Sequence, residues 1–412
     1  MDKQQIENYL SRDHLGDIKQ AAARLQPVLL PTKLISSVFF SQEYDCEVYI
    51  KPENLQRTGS FKIRGAYNKI SCLSKEESAR GIIAASAGNH AQGCAISAKM
   101  GGVKATIVMP NVTPLLKVEA TKSYGAEVVI SGDVFDEAYD KATSLAAENG
   151  YTFIHPFDDY DVICGQGTIA LEALAELPDA DEILVPIGGG GLAAGIAMAA
   201  KAINPKIKVI GIEPVSAMSM KKSIDIGHPA TLDDMKTCAE GVAVRRPGDL
   251  TFALCSQYLD DIISVSEKDI MEAFLLTLEK QKLVAETAGV IPLAALKKRA
   301  AKGKKLICPI SGGNIDMVTI SSIINQGMIS RGRIMCFSVE LPDKPWQLAK
   351  VASLLAEANA NVIELQHNQF KALDRYSNKV VLEVTVETNG HAHIQEVLEH
   401  LQDEGFPVKR IY

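Results

Sequence analysis

The chain has 412 residues, which at roughly 150 residues per domain suggests two or three domains. Hydrophobic residues make up 47% and charged residues 23%, an ordinary globular composition with enough apolar material for a large core. The 43 basic and 50 acidic residues leave a formal net charge of -7, which argues against a nucleic-acid binder.

Met1 to Leu15 is polar and mixed in charge, with no basic segment leading into an apolar run. No signal peptide is expected, and a cytoplasmic location is. Cysteines stand at 46, 72, 94, 164, 238, 255, 308 and 336, and no two make a CxxC. Neither a metal-ligand set nor a disulfide framework is expected, and the thiols read as reduced and mostly buried. Ile183 to Ala200 carries no charge but contains Pro186 and four successive glycines. A strand, a glycine loop and a helix explain it better than one membrane-spanning helix.

From about residue 25 to 325, short β-branched runs alternate with alanine-rich helical stretches. The runs include Gly81–Ala84, Ala105–Met109, Glu127–Ile130, Glu182–Ile187, Lys208–Ile212 and Lys305–Cys308. They are continuously apolar, as strands buried on both faces are, so parallel sheets covered by helices are expected. Ser266 and Asp269 stand at capping-box spacing before a helix with Ile270, Phe274, Leu275 and Leu278 on one face. Asn325 to Gly332 (NQGMISRG) is polar and glycine-punctuated, and a linker is predicted over 326–333 between a region 1–325 and a domain 334–412.

In that last domain Met335, Phe337, Val339 and Leu341 alternate, as in a half-buried strand. Leu348, Val351, Ala352 and Leu355 follow at helical spacing. Asn361 to Gln366 reads as a strand, Val380 to Val386 alternates again, Ile394, Val397, Leu398 and Leu401 mark a second helix, and Pro407 to Tyr412 can close the sheet. The order is βαββαβ, a ferredoxin-like unit with two helices on one sheet face.

Four short motifs carry chemistry. In Gly59-Ser-Phe-Lys62-Ile-Arg-Gly-Ala66 a lysine lies between apolar neighbours. Desolvation there would lower its pKa and make the amine a nucleophile toward carbonyls; a surface lysine opening a helix is the plain alternative. Ser86-Ala87-Gly88-Asn89-His90 lies between an apolar run and a helix, where backbone N–H groups can cradle a carboxylate or phosphate. Gly188-Gly189-Gly190-Gly191-Leu192 follows a strand and opens a helix, so the backbone can close around a phosphate. Gly189, Gly191, Ala194 and the later Glu213 also satisfy a dinucleotide fingerprint, with Glu213 on a ribose hydroxyl. Ser311-Gly-Gly-Asn314 offers a hydroxyl at a strand's C-terminal end, where ligands of α/β sheets collect.

Taken in this order, the four motifs resemble those of pyridoxal-phosphate-dependent lyases of the tryptophan-synthase β-like fold, and more narrowly threonine ammonia-lyases, over residues 25 to 325. The resemblance implies an α/β, two-lobed PLP fold type II catalytic region. It implies that Lys62 forms the Schiff base with pyridoxal 5'-phosphate and later shuttles the Cα proton. Phe61 would pack near the pyridine ring and Asn89 would bond its 3'-oxygen. Gly188, Gly189, Gly190, Gly191 and Leu192 would hold the phosphate, and Ser311 the ring nitrogen. Ser86, Ala87, Gly88, Asn89 and His90 would grip the substrate carboxylate. L-Threonine would give 2-oxobutanoate and ammonia, and L-serine pyruvate.

Serine racemases share these motifs but typically carry a second-face serine acid/base where this chain has Ala87, so a lyase is favoured. Glu213, Ala217 and Ser219 lie where relatives bind a cation; with few negative ligands, a monovalent ion or a plain loop is expected. Glu286 either faces the cofactor or starts a helix, and is left out of the catalytic set. The C-terminal unit resembles an ACT domain, which implies an amino-acid effector, or a role in assembly alone. Trp346 stands where the module usually has glycine, which would alter that pocket. A homodimer or homotetramer is expected. A nicotinamide-dependent oxidoreductase and a non-enzymatic amino-acid sensor are the competing classes.

Overall fold

A computed structural model describes residues 3–299, 301–368 and 379–412. The chain divides into two compact units, Met1–Ile315 and Asp316–Tyr412.

The first unit contains two sheets. The larger has six strands in the order Ile35–Ser36, Glu47–Pro52, Lys305–Ile310, Glu182–Pro186, Lys208–Pro214 and Asp261–Val265. All its pairings are parallel except the one made by Ile35–Ser36. The smaller sheet is wholly parallel, in the order Glu127–Ile130, Ala105–Met109, Ile82–Ala85 and Thr152–Phe153. The continuous apolar runs are thus strands of covered parallel sheets, as their lack of alternation requires. In the larger lobe, helices Tyr160–Glu176 and Gly191–Ile203 pack against the sheet around Ile183, Val185, Val209 and Ile307. In the smaller lobe, Ile82, Ala84 and Ile107 face one core, and Ile83, Ala85 and Val108 the other.

Helix Lys62–Ser71 crosses helix Tyr160–Glu176 at very close range. A Cβ on Gly165 would lie 2.5 Å from the Arg64 carbonyl, and one on Gly65 would collide with Gln166. A buried ion cluster fastens the same helix. Arg64, fully buried, donates to Glu53 (2.7 and 2.8 Å) and to Glu172 (2.6 and 2.8 Å), and Lys51 reaches Glu172 at 2.6 Å. These bonds anchor the first turn of the helix, two residues after Lys62.

The second unit begins with helix Met317–Ser330, capped by the Asp316 side chain on Thr319 N–H. This corrects the linker predicted over 326–333. Asn325 and Gln326 are exposed, but Ile323 and Gly327 are buried, so the polar run is the solvent face of a helix. The chain breaks direction at Gly332, where φ is +64°. The rest runs βαββαβ, with an antiparallel sheet ordered Asn361–Asn368, Lys379–Glu387, Ile334–Pro342 and Val408–Arg410. Met335, Phe337, Val339 and Leu341 are buried with Val380, Leu382, Val384 and Val386 under helices Gln347–Glu357 and His391–Asp403. In the first of these helices the buried stripe is Val351, Leu354 and Leu355; Ala352 and Leu348 are exposed. Residues 369–378, between two strands, lie outside the described residues. Among the described residues, no helix is long and apolar enough to cross a membrane.

Candidate active site

The four motifs fall at C-terminal ends of parallel strands or at the helix between the lobes. Ile82–Ala85 runs into Ser86, Glu182–Pro186 into the glycine loop, and Lys305–Ile310 into Ser311. The loop before Lys62 is tied to the last of these. Phe61 N–H donates to the Ser311 carbonyl at 3.0 Å, Gly313 N–H to the Gly59 carbonyl at 2.8 Å, and Ser60 bridges Gly312. The lysine and the serine loop therefore move as one piece.

Lys62 opens its helix, and its Nζ donates to the Pro156 carbonyl at 2.8 Å. Loss of hydration pushes its pKa down to about 8, against a partial pull upward from Cys94 and Glu286. Such an amine is neutral in a useful fraction near neutrality, as carbonyl chemistry needs. The Phe61 ring lies 5.3 Å from that nitrogen.

Asn89 starts helix Asn89–Gly101, and its amide makes one bond at each end, which leaves a second Nδ2 hydrogen. Nδ2 donates to Glu286 Oε1 at 2.8 Å, and Oδ1 accepts from Asn314 Nδ2 at 2.7 Å. Ser86 to Asn89 are half-buried at the cleft, and a Cβ on Gly88 would meet open space. The first N–H groups of an α-helix have no partner within it, so the head of this one is a candidate anion cradle. The His90 ring turns away: Nε2 meets the Ile154 carbonyl at 2.9 Å, and burial lowers its pKa to about 3. Any part His90 takes in substrate binding is through its backbone.

The glycine loop needs its glycines for close neighbours. A Cβ on Gly189 would collide with the Phe157 ring, one on Gly191 would lie 2.9 Å from the Phe157 carbonyl, and one on Gly188 2.9 Å from Val242. Gly190 has φ +96°. The loop carbonyls are engaged, with Thr251 Oγ1 donating to Gly189 at 2.6 Å. The N–H groups at the start of helix Gly191–Ile203 remain to hold an anion. Glu213 is not offered to a ribose. It is fully buried and accepts from the N–H groups of Met220 and Lys221, both at 2.9 Å, which removes the dinucleotide reading.

Of two further features at the site, sequence reasoning left the first open and missed the second. Glu286 faces the site: its carboxylate bonds Asn89 and would touch a Cβ placed on Gly312, and burial raises its pKa to about 7. The other is the turn His155-Pro156-Phe157-Asp158. It receives Lys62, backs the glycine loop, and sends the Asp158 carboxylate to the N–H groups of Asp249, Leu250 and Thr251 (3.1, 3.0 and 3.1 Å). A proline followed by two aspartates signals a loop and a helix cap, but not these contacts. An amine of lowered pKa, an anion cradle and a hydroxyl at the third loop form a donor set that fits pyridoxal phosphate. Among the described residues, no three His, Cys, Asp or Glu side chains are grouped to hold a metal ion.

The family model described as pyridoxal-phosphate dependent enzyme matches residues 25–312. An L-threonine ammonia-lyase of Thermotoga maritima is 44% identical over 396 residues, covering 96% of this chain and 98% of that protein. The L-threonine ammonia-lyase of Geobacter sulfurreducens is 46% identical over 394 residues, covering 95% and 98%. Among solved structures, threonine deaminase isoform 2 from Solanum lycopersicum is similar with a TM-score of 0.73 at 37% identity, over 79% of this chain and 94% of that one. Maize serine racemase follows with a TM-score of 0.72 at 35% identity, over 77% and 98%. With these matches joined to a desolvated lysine at the head of its helix, the chain belongs to the pyridoxal-phosphate-dependent enzyme family.

Proposed function

We propose that this enzyme converts L-threonine to 2-oxobutanoate and ammonia, with L-serine as a second substrate. The observation that carries the reading is Lys62: a desolvated amine with its pKa lowered to about 8, held on the Pro156 carbonyl at 2.8 Å. Bound pyridoxal phosphate supplies an electron sink that acidifies the substrate Cα–H and lets the β-hydroxyl depart. The loop from Gly188 to Leu192 would hold its phosphate, Asn89 its 3'-oxygen, and Ser311 its ring nitrogen. The N–H groups at the head of helix Asn89–Gly101 hold the substrate carboxylate, fixing which bond at Cα faces Lys62. The Lys62 amine accepts the Cα proton. Once released, the enamine product tautomerises and takes up water, yielding the 2-oxo acid and ammonia.

Ala87 offers no proton from the opposite face, which supports elimination over racemisation. The test mixes holoenzyme with L-threonine and separately with L-serine, and measures 2-oxo acid, ammonia and D-serine. Oxo acid from threonine, lost in Lys62→Ala, supports the reading. D-Serine without oxo acid refutes it.

Three finer parts belong to the same proposal. A monovalent cation sits beside Glu213, whose pKa burial raises to about 7 and near which the buried Ser219 hydroxyl has no partner; potassium titration of activity tests it. An amino-acid effector binds the C-terminal unit, in a cavity of about 370 Å³ lined by residues including Asp343, Trp346, Gln347 and His367. Trp346, 84% exposed and the single tryptophan, would report that binding by fluorescence. The enzyme works in the cytoplasm as a homodimer or homotetramer, which light scattering would measure.

A further inference from the structure

The turn at 155–158 touches both halves of the site. Its Pro156 carbonyl accepts from Lys62 Nζ at 2.8 Å. Its Phe157 packs on Gly189 and Gly191, so tightly that neither could carry a Cβ. Its Asp158 fixes the start of helix Asp249–Tyr258, whose Thr251 holds the Gly189 carbonyl at 2.6 Å. What shapes the turn is one side-chain atom. His155 Nδ1 accepts from Asp158 N–H at 2.7 Å and from Phe157 N–H at 3.3 Å. A nitrogen that accepts cannot carry a proton, so the ring is neutral with its hydrogen on Nε2.

We propose that His155 is a positioning residue for the reaction: its unprotonated Nδ1 sets the turn that fixes the Lys62 amine relative to the phosphate-binding glycine loop. The ring also belongs to an aromatic cluster, edge-on to Phe157 at 4.7 Å and within 6.3 Å of Tyr139 and Phe153. Packing alone would be met by any aromatic side chain; the acceptor would not. The charged groups facing the ring divide in sign. Asp158 and Asp159 of its own stretch favour its protonation, while Lys62, from helix Lys62–Ser71, and burial oppose it. Burial is the largest of these effects and lowers the pKa, so the acceptor persists below the usual histidine range.

The experiment separates acceptor from packing. His155→Phe keeps a ring and loses the acceptor. His155→Asn loses the ring but keeps an oxygen that can accept from N–H groups two and three residues on. Equilibrium titration with pyridoxal phosphate should show about tenfold weaker binding for H155F. Its kcat at saturating cofactor should fall about tenfold with threonine KM little changed. H155N should stay within about threefold of wild type in both. H155F within twofold of wild type, or H155N as impaired as H155F, overturns the proposal. Nitrogen NMR of histidine-labelled wild-type holoenzyme requires no variant: a bare Nδ1 at pH 7 is expected, and a protonated one also overturns it. The proposal rests on Lys62 as the reactive amine. Loss of turnover in Lys62→Ala checks that separately, whereas cofactor affinity and the tautomer do not depend on the substrate's identity.

Discussion

Replacing Arg64 by methionine tests whether the buried ion cluster holds the catalytic lysine's helix. The guanidinium makes two bonds to Glu53, two to Glu172 and one to Thr168 Oγ1, all between 2.6 and 3.0 Å. Glu53 is 0% exposed, and its other cation, Lys51, stands 4.0 Å away. Removing one partner of a buried pair leaves an uncompensated charge, which costs about 3–5 kcal/mol. Lys51 compensates part of it, so R64M should cost about 3 kcal/mol. The double variant R64M/E53Q removes the stranded charge and should recover at least about 1 kcal/mol of that loss. Urea unfolding followed by far-UV dichroism reads both units, of which the first holds most of the helices. The single tryptophan, Trp346, lies in the second unit, so its fluorescence is an internal control whose midpoint should not move. A loss under about 1 kcal/mol, or an equal shift in the Trp346 transition, refutes the reasoning.

Three buried groups should each make a separable contribution to the pH dependence of apoprotein stability. Glu286 and Glu213 have pKa values raised to about 7, so the stability they contribute is full below the ordinary glutamate pKa and is lost as pH rises through 7. Lys62, lowered to about 8 from 10.5, acts in the opposite sense, and stability rises from pH 8 toward 10.5. Buried thiols and histidines titrate in the same windows with opposite sign, so the test is a difference: the melting temperature of Lys62→Met relative to wild type should fall as pH rises from 8 to 10.5, and a constant difference would contradict the assignment. Gly189→Ala should weaken pyridoxal phosphate binding at least tenfold by displacing Phe157, and adding Phe157→Leu should restore part of it; cofactor titration measures both. Trp346→Gly should stabilise the second unit by about 1 kcal/mol, because Trp346 has φ +74° and only glycine adopts that region without cost. Calorimetry checks the sign, and a lower melting temperature for that unit would show the residue to be packed rather than strained.

Local pattern carried much of this protein. Burial of strands on both faces leaves continuous apolar runs, so Ile82–Ala85 and Glu182–Pro186 were legible without any partner. Alternation and helical spacing likewise disclosed the order of the C-terminal unit. The motifs around Lys62, Asn89, the glycines and Ser311 were each ambiguous alone, and only their joint order, through its resemblance to a known family, singled them out. The polar face of helix Met317–Ser330 misled, since exposure to solvent makes a helix surface and a linker look alike in composition.

What the sequence by itself determined is the set of elements and the residue types at their ends, since these follow from periodicity and backbone freedom over a few neighbours. Only the tertiary structure decided how distant segments meet. Asn89 and Glu286 are 197 residues apart, and Lys62 and Pro156 are 94 apart, yet each pair is bonded at 2.8 Å. No local spacing encodes such contacts. They arise because parallel strands from separate stretches end side by side, and burial at that junction sets the charge on Lys62 and Glu286.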